Sequence, residues 1–358
     1  MYYLTYRPRT IAELDNSQVR EKIATLLKKK QIPHALLFVG TKGMGKTSTA
    51  RILAKSLNCL DNAFSGKPSD SEGKGDSIEP CNLCHNCLTI DTGSSPDVVE
   101  QDAASNRGID EIRRLIKEAS FLPMTGKYRV YIIDEAHMIT TDAFNALLKT
   151  LEEPAKTVIF ILATTNEEKI PETIVSRCVR IQFGKAEEKD ILNMLSRIEK
   201  KEKLNLDKDL KILIATYSER SFRDAANLLE ELVMQDMLTL EKAKAYLGVR
   251  AKDSLLEIMQ KSEIKEVLEW IEEFSANGGN IKRTIEDMLS SLKRQLLLKN
   301  NVIADEKDLG YSLKEVMILM KLLHEAYSQL RVSPIESLPL EIAALEFYNL
   351  RKQNKISN

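Results

Sequence analysis

The sequence predicts an α/β fold, a five-stranded parallel sheet followed by helical regions. Three observations carry this. Short apolar runs alternate with helical patterns up to about residue 183. A glycine-rich loop joins the first such run directly to a helix. Beyond Gly184 the strand-like runs stop and helical periodicity alone remains. Alternation of this kind argues for parallel strands with helices packed on both faces.

The candidate strands are ALLFVG (35–40), DVVEQD (97–102), RVYIID (129–134), TVIFILA (157–163) and CVRIQF (178–183). Each is short and rich in β-branched or aromatic residues. Helical patterns lie between them at 17–30, 46–58, 109–121 and 141–153. The stretch 61–80, DNAFSGKPSDSEGKGDSIEP, is rich in Ser, Gly, Asp and Pro and reads as a surface loop. Residues 185–248 read as three or four short helices. Further on, Ile281, Ile285, Met288, Leu289, Leu292 and Leu296 form one apolar stripe at helical spacing. The expected division is a core at 1–183, a small helical lid at 184–248 and a helical bundle at 249–358.

With 358 residues, 43% hydrophobic and 29% charged, the chain has the composition of a globular protein with a proper core. Its formal net charge of −1 excludes a whole-chain basic footprint, so nucleic-acid contact would have to be local. The N-terminus MYYLTYRPRT has no signal-peptide pattern, and the apolar runs are too short to span a bilayer. A cytoplasmic location and no membrane partner are therefore expected.

GTKGMGKT, covering Gly40, Thr41, Lys42, Gly43, Met44, Gly45, Lys46 and Thr47, matches the phosphate-loop pattern in full. The glycines let backbone N–H groups close around phosphate oxygens. Lys46 supplies a charge for the β- and γ-phosphates, Thr47 offers a hydroxyl to Mg²⁺, and the helix N-terminus adds its partial positive charge. RVYIIDEAH then ends a strand in two acids. Asp134 suits Mg²⁺ held through water, and Glu135 suits polarisation of an attacking water. ATP and Mg²⁺ are the expected ligands.

CNLCHNC (81–87) places Cys81, Cys84 and Cys87 with two residues between each, and Cys59 precedes them at the end of the phosphate-loop helix. Four thiolates suit a closed structural Zn²⁺ site. A redox pair and an iron–sulfur cluster use similar spacings. His85 is a competing ligand, though its place between Cys84 and Cys87 suits a turn. Cys178 reads as a small buried core residue at a strand start.

These segments together resemble the DNA polymerase III gamma/tau family, the bacterial clamp-loader AAA+ ATPases. The resemblance runs in order through YRPRTIAEL (6–14), the phosphate-loop stretch (34–59), PCNLCHNC (80–87) and DAASNRGIDEIR (102–113). It continues through 128–154, ILATTN (161–166), IVSRC (174–178), SFRDAANLLEEL (221–232) and SPIESLPLEIAALE (333–346). The cysteine module between the phosphate loop and the acid pair, together with SRC, is its most specific part.

The resemblance implies an ATPase motor subunit that opens a sliding clamp and loads it on primed DNA. It implies Zn²⁺ at the four cysteines. It implies that Arg177 is an arginine finger reaching the γ-phosphate of a neighbouring subunit. Thr165 is then the sensor 1 residue, with Thr164 and Asn166 as further candidates, and Arg223 the sensor 2 arginine. Tyr6, Arg7 and Pro8 are placed near the adenine. Ser105, Asn106, Arg107 and Lys149 are candidate DNA-backbone contacts. The implied partners are delta and delta′ subunits, other copies of the chain, the sliding clamp and primer–template DNA, with 249–358 as an oligomerisation collar.

Two departures matter. The family's longer form carries further C-terminal domains beyond such a collar, so tethering of polymerase and helicase is not expected of these residues. Glu219–Arg220 stands where relatives often have glycine, which leaves the start of the next helix open. A delta′-like scaffold without hydrolysis is the second reading, disfavoured by the intact phosphate loop. A different AAA+ machine, such as a Holliday-junction motor, is the third, disfavoured by the cysteine module.

Overall fold

Five strands form one parallel sheet: β1 (Ala35–Gly40), β2 (Val98–Asp102), β3 (Arg129–Asp134), β4 (Val158–Thr164) and β5 (Val179–Phe183). The computed structural model describes residues 1–64, 77–105, 108–247, 249–276, 279–303 and 307–356. Each predicted strand is present and shifts by at most one residue. The order across the sheet is β2-β3-β4-β1-β5. Central β4 is buried along its whole length, as a parallel strand covered on both faces should be. Leu37 of β1, Tyr131 and Ile133 of β3, and Phe160 and Leu162 of β4 share a core with Phe144 and Leu147 of the helix Thr141–Glu152.

The helices between strands follow the predicted pattern with three earlier ends, that of Thr141–Glu152 by a single residue. Ser17–Lys28 stops because Lys30 turns left-handed, with φ of +52°. Ile109–Glu118 stops before Phe121 and Leu122, which are exposed, and Pro123 follows. A residue before proline disfavours the helical region. Several short helices were not anticipated, among them Glu172–Val175. A single turn, Tyr2–Thr5, opens the chain, and His85–Thr92 replaces the turn expected at His85, with Cys84 at its N-cap. Of the loop expected at 61–80, residues 65–76 lie outside the described set.

The chain divides into two compact units, Met1–Leu238 and Thr239–Asn358. The first includes three helices after the sheet, Glu188–Glu202, Lys208–Tyr217 and Phe222–Met234. The second is helical among its described residues. Its core takes Ile281, Ile285, Met288 and Leu292 from the predicted stripe, each fully buried, with Leu289 and Leu296 partly so. Asn280 caps that helix through Arg283 N, and a capping box of Ser312 and Glu315 opens Leu313–Gln329. Among the described residues, no helix is long and apolar enough to cross a membrane.

Candidate functional site

The sheet order places β4 between β1 and β3. The loop after β1, the acids ending β3 and the residues after β4 therefore meet at one edge of the sheet, the carboxyl end where α/β sheets bind ligands. A cavity of about 200 Å³ opens there. Residues 42–47 of the glycine-rich loop line it, with Asp134 and Glu135 opposite. Tyr6, Arg7, Pro8 and Arg223 line it too, as does the unpredicted N-terminal pair Tyr2 and Tyr3.

Two glycines are required by close approach. A Cβ on Gly40 would sit 2.2 Å from Phe183 O of neighbouring β5. A Cβ on Gly43, which has φ of +81°, would sit 2.2 Å from Ser221 Oγ and 3.1 Å from Arg223 Cβ. The helix Phe222–Met234 therefore rests directly on the glycine-rich loop, and Arg223 N donates to Gly43 O at 3.4 Å. Ser221 caps that helix, and the Arg223 guanidinium stacks 4.5 Å from the Tyr3 ring. At the junction before it, Glu219 and Arg220 have φ of +53° and +61°. Glycine adopts that conformation more readily than a residue with a side chain.

Lys46 is buried and donates to Gly40 O at 2.6 Å and Thr41 O at 3.0 Å. Gly40 and Thr41 thus contact the site through Lys46 and are absent from the cavity lining. Burial lowers the Lys46 pKa, against the opposing pull of Glu135 and Asp134. Burial likewise lowers Arg7, helped by the nearby positive charge of Arg51 and Arg223. A cavity whose cations are this crowded favours a polyanion.

Thr47 Oγ1 donates to Asp134 Oδ2 at 2.5 Å. Two hard oxygen donors converging at a helix N-terminus suit Mg²⁺. Glu135 takes a left-handed backbone, φ +47°, and its amide donates to Asp134 Oδ1 at 2.9 Å. Thr165 Oγ1 donates to Glu135 Oε2 at 3.1 Å, which ties the residue after β4 to the acid pair. His137 Nδ1 lies 3.4 Å from the same carboxylate oxygen, a contact the sequence reading missed.

Arg177 is not brought to this cavity. Its guanidinium donates to Thr173 O at 2.7 Å and pairs with Glu152 on the surface. Cys178 is half-buried one residue before β5 and packs against the core rather than lying within it. Ser105 and Lys149 are exposed, and Asn106 and Arg107 lie outside the described residues.

The four cysteines do converge. The Sγ atoms of Cys59, Cys81, Cys84 and Cys87 all lie within 4.8 Å of one another. Backbone N–H groups point at the sulfurs: Cys81 N and Asp61 N at Cys59, and Cys84 N and Leu83 N at Cys81. Such donors stabilise thiolate charge, and the donor set is that of a closed tetrahedral site for a soft cation. Cys59 is held down to about 5, first by its hydrogen bond with the Cys87 thiol. The cluster is fastened to the phosphate-loop helix by Lys55, which is 1% exposed and pairs with Asp91 at 2.9 Å and Asn82 Oδ1 at 2.7 Å.

A family profile described as "DNA polymerase III, delta subunit" matches residues 15–187. The tau subunit of DNA polymerase III from Bacillus subtilis is 37% identical, over 83% of this chain and 52% of the relative. That of Escherichia coli K12 is 34% identical, over 85% and 46%. The chain thus spans about half the length of these relatives. The gamma subunit from Buchnera aphidicola (Baizongia pistaciae) is 32% identical, over 96% of this chain and 95% of the relative. Among solved structures, the Thermotoga maritima RuvB Holliday junction branch migration motor aligns at a TM-score of 0.47 and 14% identity, over 77% of this chain and 86% of its own. By its identity to the gamma and tau subunits over most of its length, the chain belongs to the DNA polymerase III gamma/tau family.

Proposed function

We propose that this chain is an ATP-hydrolysing motor subunit of a clamp loader. The carrying observation is the convergence in one cavity of the glycine-rich loop, the Thr47–Asp134 pair, Glu135 and Arg223. Backbone N–H groups of residues 42–47 cradle the phosphates, and Lys46 turns from its loop carbonyls to the β- and γ-oxygens. Tyr6, Arg7 and Pro8 face the base. Thr47 and Asp134 would hold Mg²⁺, which supplies charge neutralisation at the β- and γ-phosphates when bound. Glu135 accepts a proton from the attacking water as its oxygen bonds to the γ-phosphorus and the β–γ bridge oxygen departs with the pair of electrons on ADP. Thr165 orients Glu135, and Arg223 reports the nucleotide to the helix Phe222–Met234.

Arg177 acts in trans. Its place outside its own chain's cavity suits a finger that completes a neighbour's site, so turnover requires assembled copies. Cys59, Cys81, Cys84 and Cys87 would hold a structural Zn²⁺ that fastens the 59–87 module to the phosphate-loop helix. Residues 1–183 then form the ATPase core, 184–248 the lid and 249–358 the oligomerising collar. The partners are delta and delta′ subunits, further copies of the chain, a sliding clamp and primer–template DNA, with Ser105, Asn106, Arg107 and Lys149 tracking the backbone of the last. The setting is the cytoplasm.

The test is ATP turnover by the chain mixed with delta, delta′ and clamp, with and without primed DNA. Stimulation by DNA that Lys46→Ala and Arg177→Ala each abolish is the expected result. Turnover by the isolated chain that ignores DNA, clamp and Arg177 would overturn the proposal.

A further inference from the structure

Hydrolysis as proposed gives no role to a part-buried histidine beside the acid pair. His137 lies in the tight turn Ala136–Met138 directly after the acid pair, and its side chain is 13% exposed. Its Nδ1 is 3.1 Å from Thr164 Oγ1 and 3.4 Å from Glu135 Oε2. Thr164 ends β4 and is fully buried.

The hydrogen bonds around Thr164 identify the proton. A threonine hydroxyl has one hydrogen to give and two lone pairs to receive. Its hydrogen goes to Asn166 O at 3.0 Å, and Asn166 N donates back at 3.0 Å. One lone pair remains, so His137 Nδ1 must donate to it. The same nitrogen lies 3.4 Å from Glu135 Oε2, the oxygen that also receives the Thr165 hydroxyl. Glu135 is thus reached from the end of β4 twice, directly by Thr165 and through His137 by Thr164. Its left-handed backbone needs such support, because a non-glycine residue persists there only when its surroundings hold it.

We infer that His137 is a positioning residue for Glu135: its Nδ1–H, anchored on Thr164, fixes one carboxylate oxygen and leaves the other to take the proton of the attacking water. The inference rests on the hydrolysis proposed above. His137 itself is not among the residues that line the cavity. It couples the acid to the end of β4, so a shift of that strand end would turn Glu135 in or out of line.

Asparagine and glutamine separate this role from mere packing. The amide nitrogen of asparagine falls near the place of Nδ1, whereas that of glutamine falls near Nε2. In the assembled complex, His137→Gln lowers kcat on the order of tenfold, the effect of losing one polar N–H contact at the reacting carboxylate. Dissociation constants for a fluorescent ATP analogue stay within about twofold, because the contact orients the acid rather than the phosphates. His137→Asn restores kcat to within about threefold of wild type. Thr164→Val, which removes the anchor without touching the histidine, reproduces the loss seen with His137→Gln. Thermal unfolding of each variant tells misfolding from misplacement. Equal kcat for His137→Gln and wild type, or equal loss in His137→Asn and His137→Gln, overturns the inference if Glu135→Gln still abolishes turnover. Full turnover by Glu135→Gln overturns the hydrolysis proposal itself, and the role of His137 with it.

Discussion

Asp97 offers the sharpest stability prediction. It sits where β2 begins and is 1% exposed, yet its carboxylate accepts four hydrogen bonds from a loop between Met124 and Gly126. Oδ1 receives Met124 N at 2.7 Å. Oδ2 receives Thr125 N and Gly126 N, each at 2.7 Å, and Thr125 Oγ1 at 2.9 Å. This anchor also fixes the entry to β3, the strand that delivers Asp134 and Glu135, because Val130 N donates to Asp97 O at 2.8 Å.

Asp97→Asn keeps the shape and removes the charge. One side-chain oxygen then becomes an N–H₂ group. Placed on the Met124 side, it sets donor against donor. Three bonds weaken from charged to neutral, about 1 kcal/mol each, and one buried N–H loses its acceptor for a further 1–3, a total on the order of 4 kcal/mol. The acid arm of the stability profile shows the same group. Burial alone would raise the Asp97 pKa, but the three backbone donors and the Thr125 hydroxyl outweigh it and lower it. A depressed folded-state pKa contributes stability that is present above the unfolded value, near 3.9, and is lost as pH falls through the folded one. Wild type therefore loses stability below about pH 4 that Asp97→Asn never had. Calorimetry measures the cost, and amide exchange at Met124, Thr125 and Gly126 locates it. The chain's single tryptophan, Trp270, lies in the other compact unit, so its fluorescence gives an internal reference. A cost below about 1 kcal/mol with unchanged exchange at those amides would refute the reasoning.

Arg220→Gly relieves a left-handed residue on the surface and should raise stability by about 1 kcal/mol, read as a shift of the urea midpoint; a loss would show that the side chain matters more than the backbone. Gly43→Ala places a Cβ where Ser221 Oγ lies and should weaken ATP-analogue binding at least on the order of tenfold; unchanged binding would mean the helix Phe222–Met234 yields freely. Cys84→Ser removes one of four sulfurs and should abolish the single tightly held Zn²⁺ expected in the purified protein by elemental analysis; equal metal content in both would contradict a four-thiolate site.

The sheet and the glycine-rich loop were legible because their signals are local. A run such as VYIID declares a buried strand by itself, and GTKGMGKT contains its own turn and helix start. The four cysteines were legible because spacing constrains them to meet. What escaped is what depends on partners distant in sequence. Tyr2 and Tyr3 reach the cavity because Glu230 holds the N-terminus, accepting Tyr2 N at 3.0 Å across 228 residues of chain. His137 acquires meaning from Thr164, and Arg177 from Glu152, neither pair being visible as a motif. The helix at His85 was not legible because two flanking cysteines suit a turn, whereas Cys84 at the N-cap and Gly93 at the end, with φ of +71°, bracket a short helix. Glu219 and Arg220 show the reverse: their place before a helix is legible in the sequence, whereas their left-handed backbone is a property of the folded chain.

The most direct measurement of the central claim mixes two inactive chains. Lys46→Ala lacks a working phosphate site but keeps Arg177, and Arg177→Ala lacks the finger but keeps the phosphate site. If Arg177 completes a neighbour's site, the two assembled together with delta, delta′, clamp and primed DNA recover ATP turnover that neither shows alone. Failure of the mixture to exceed either variant, or full turnover by Arg177→Ala alone, would contradict the account.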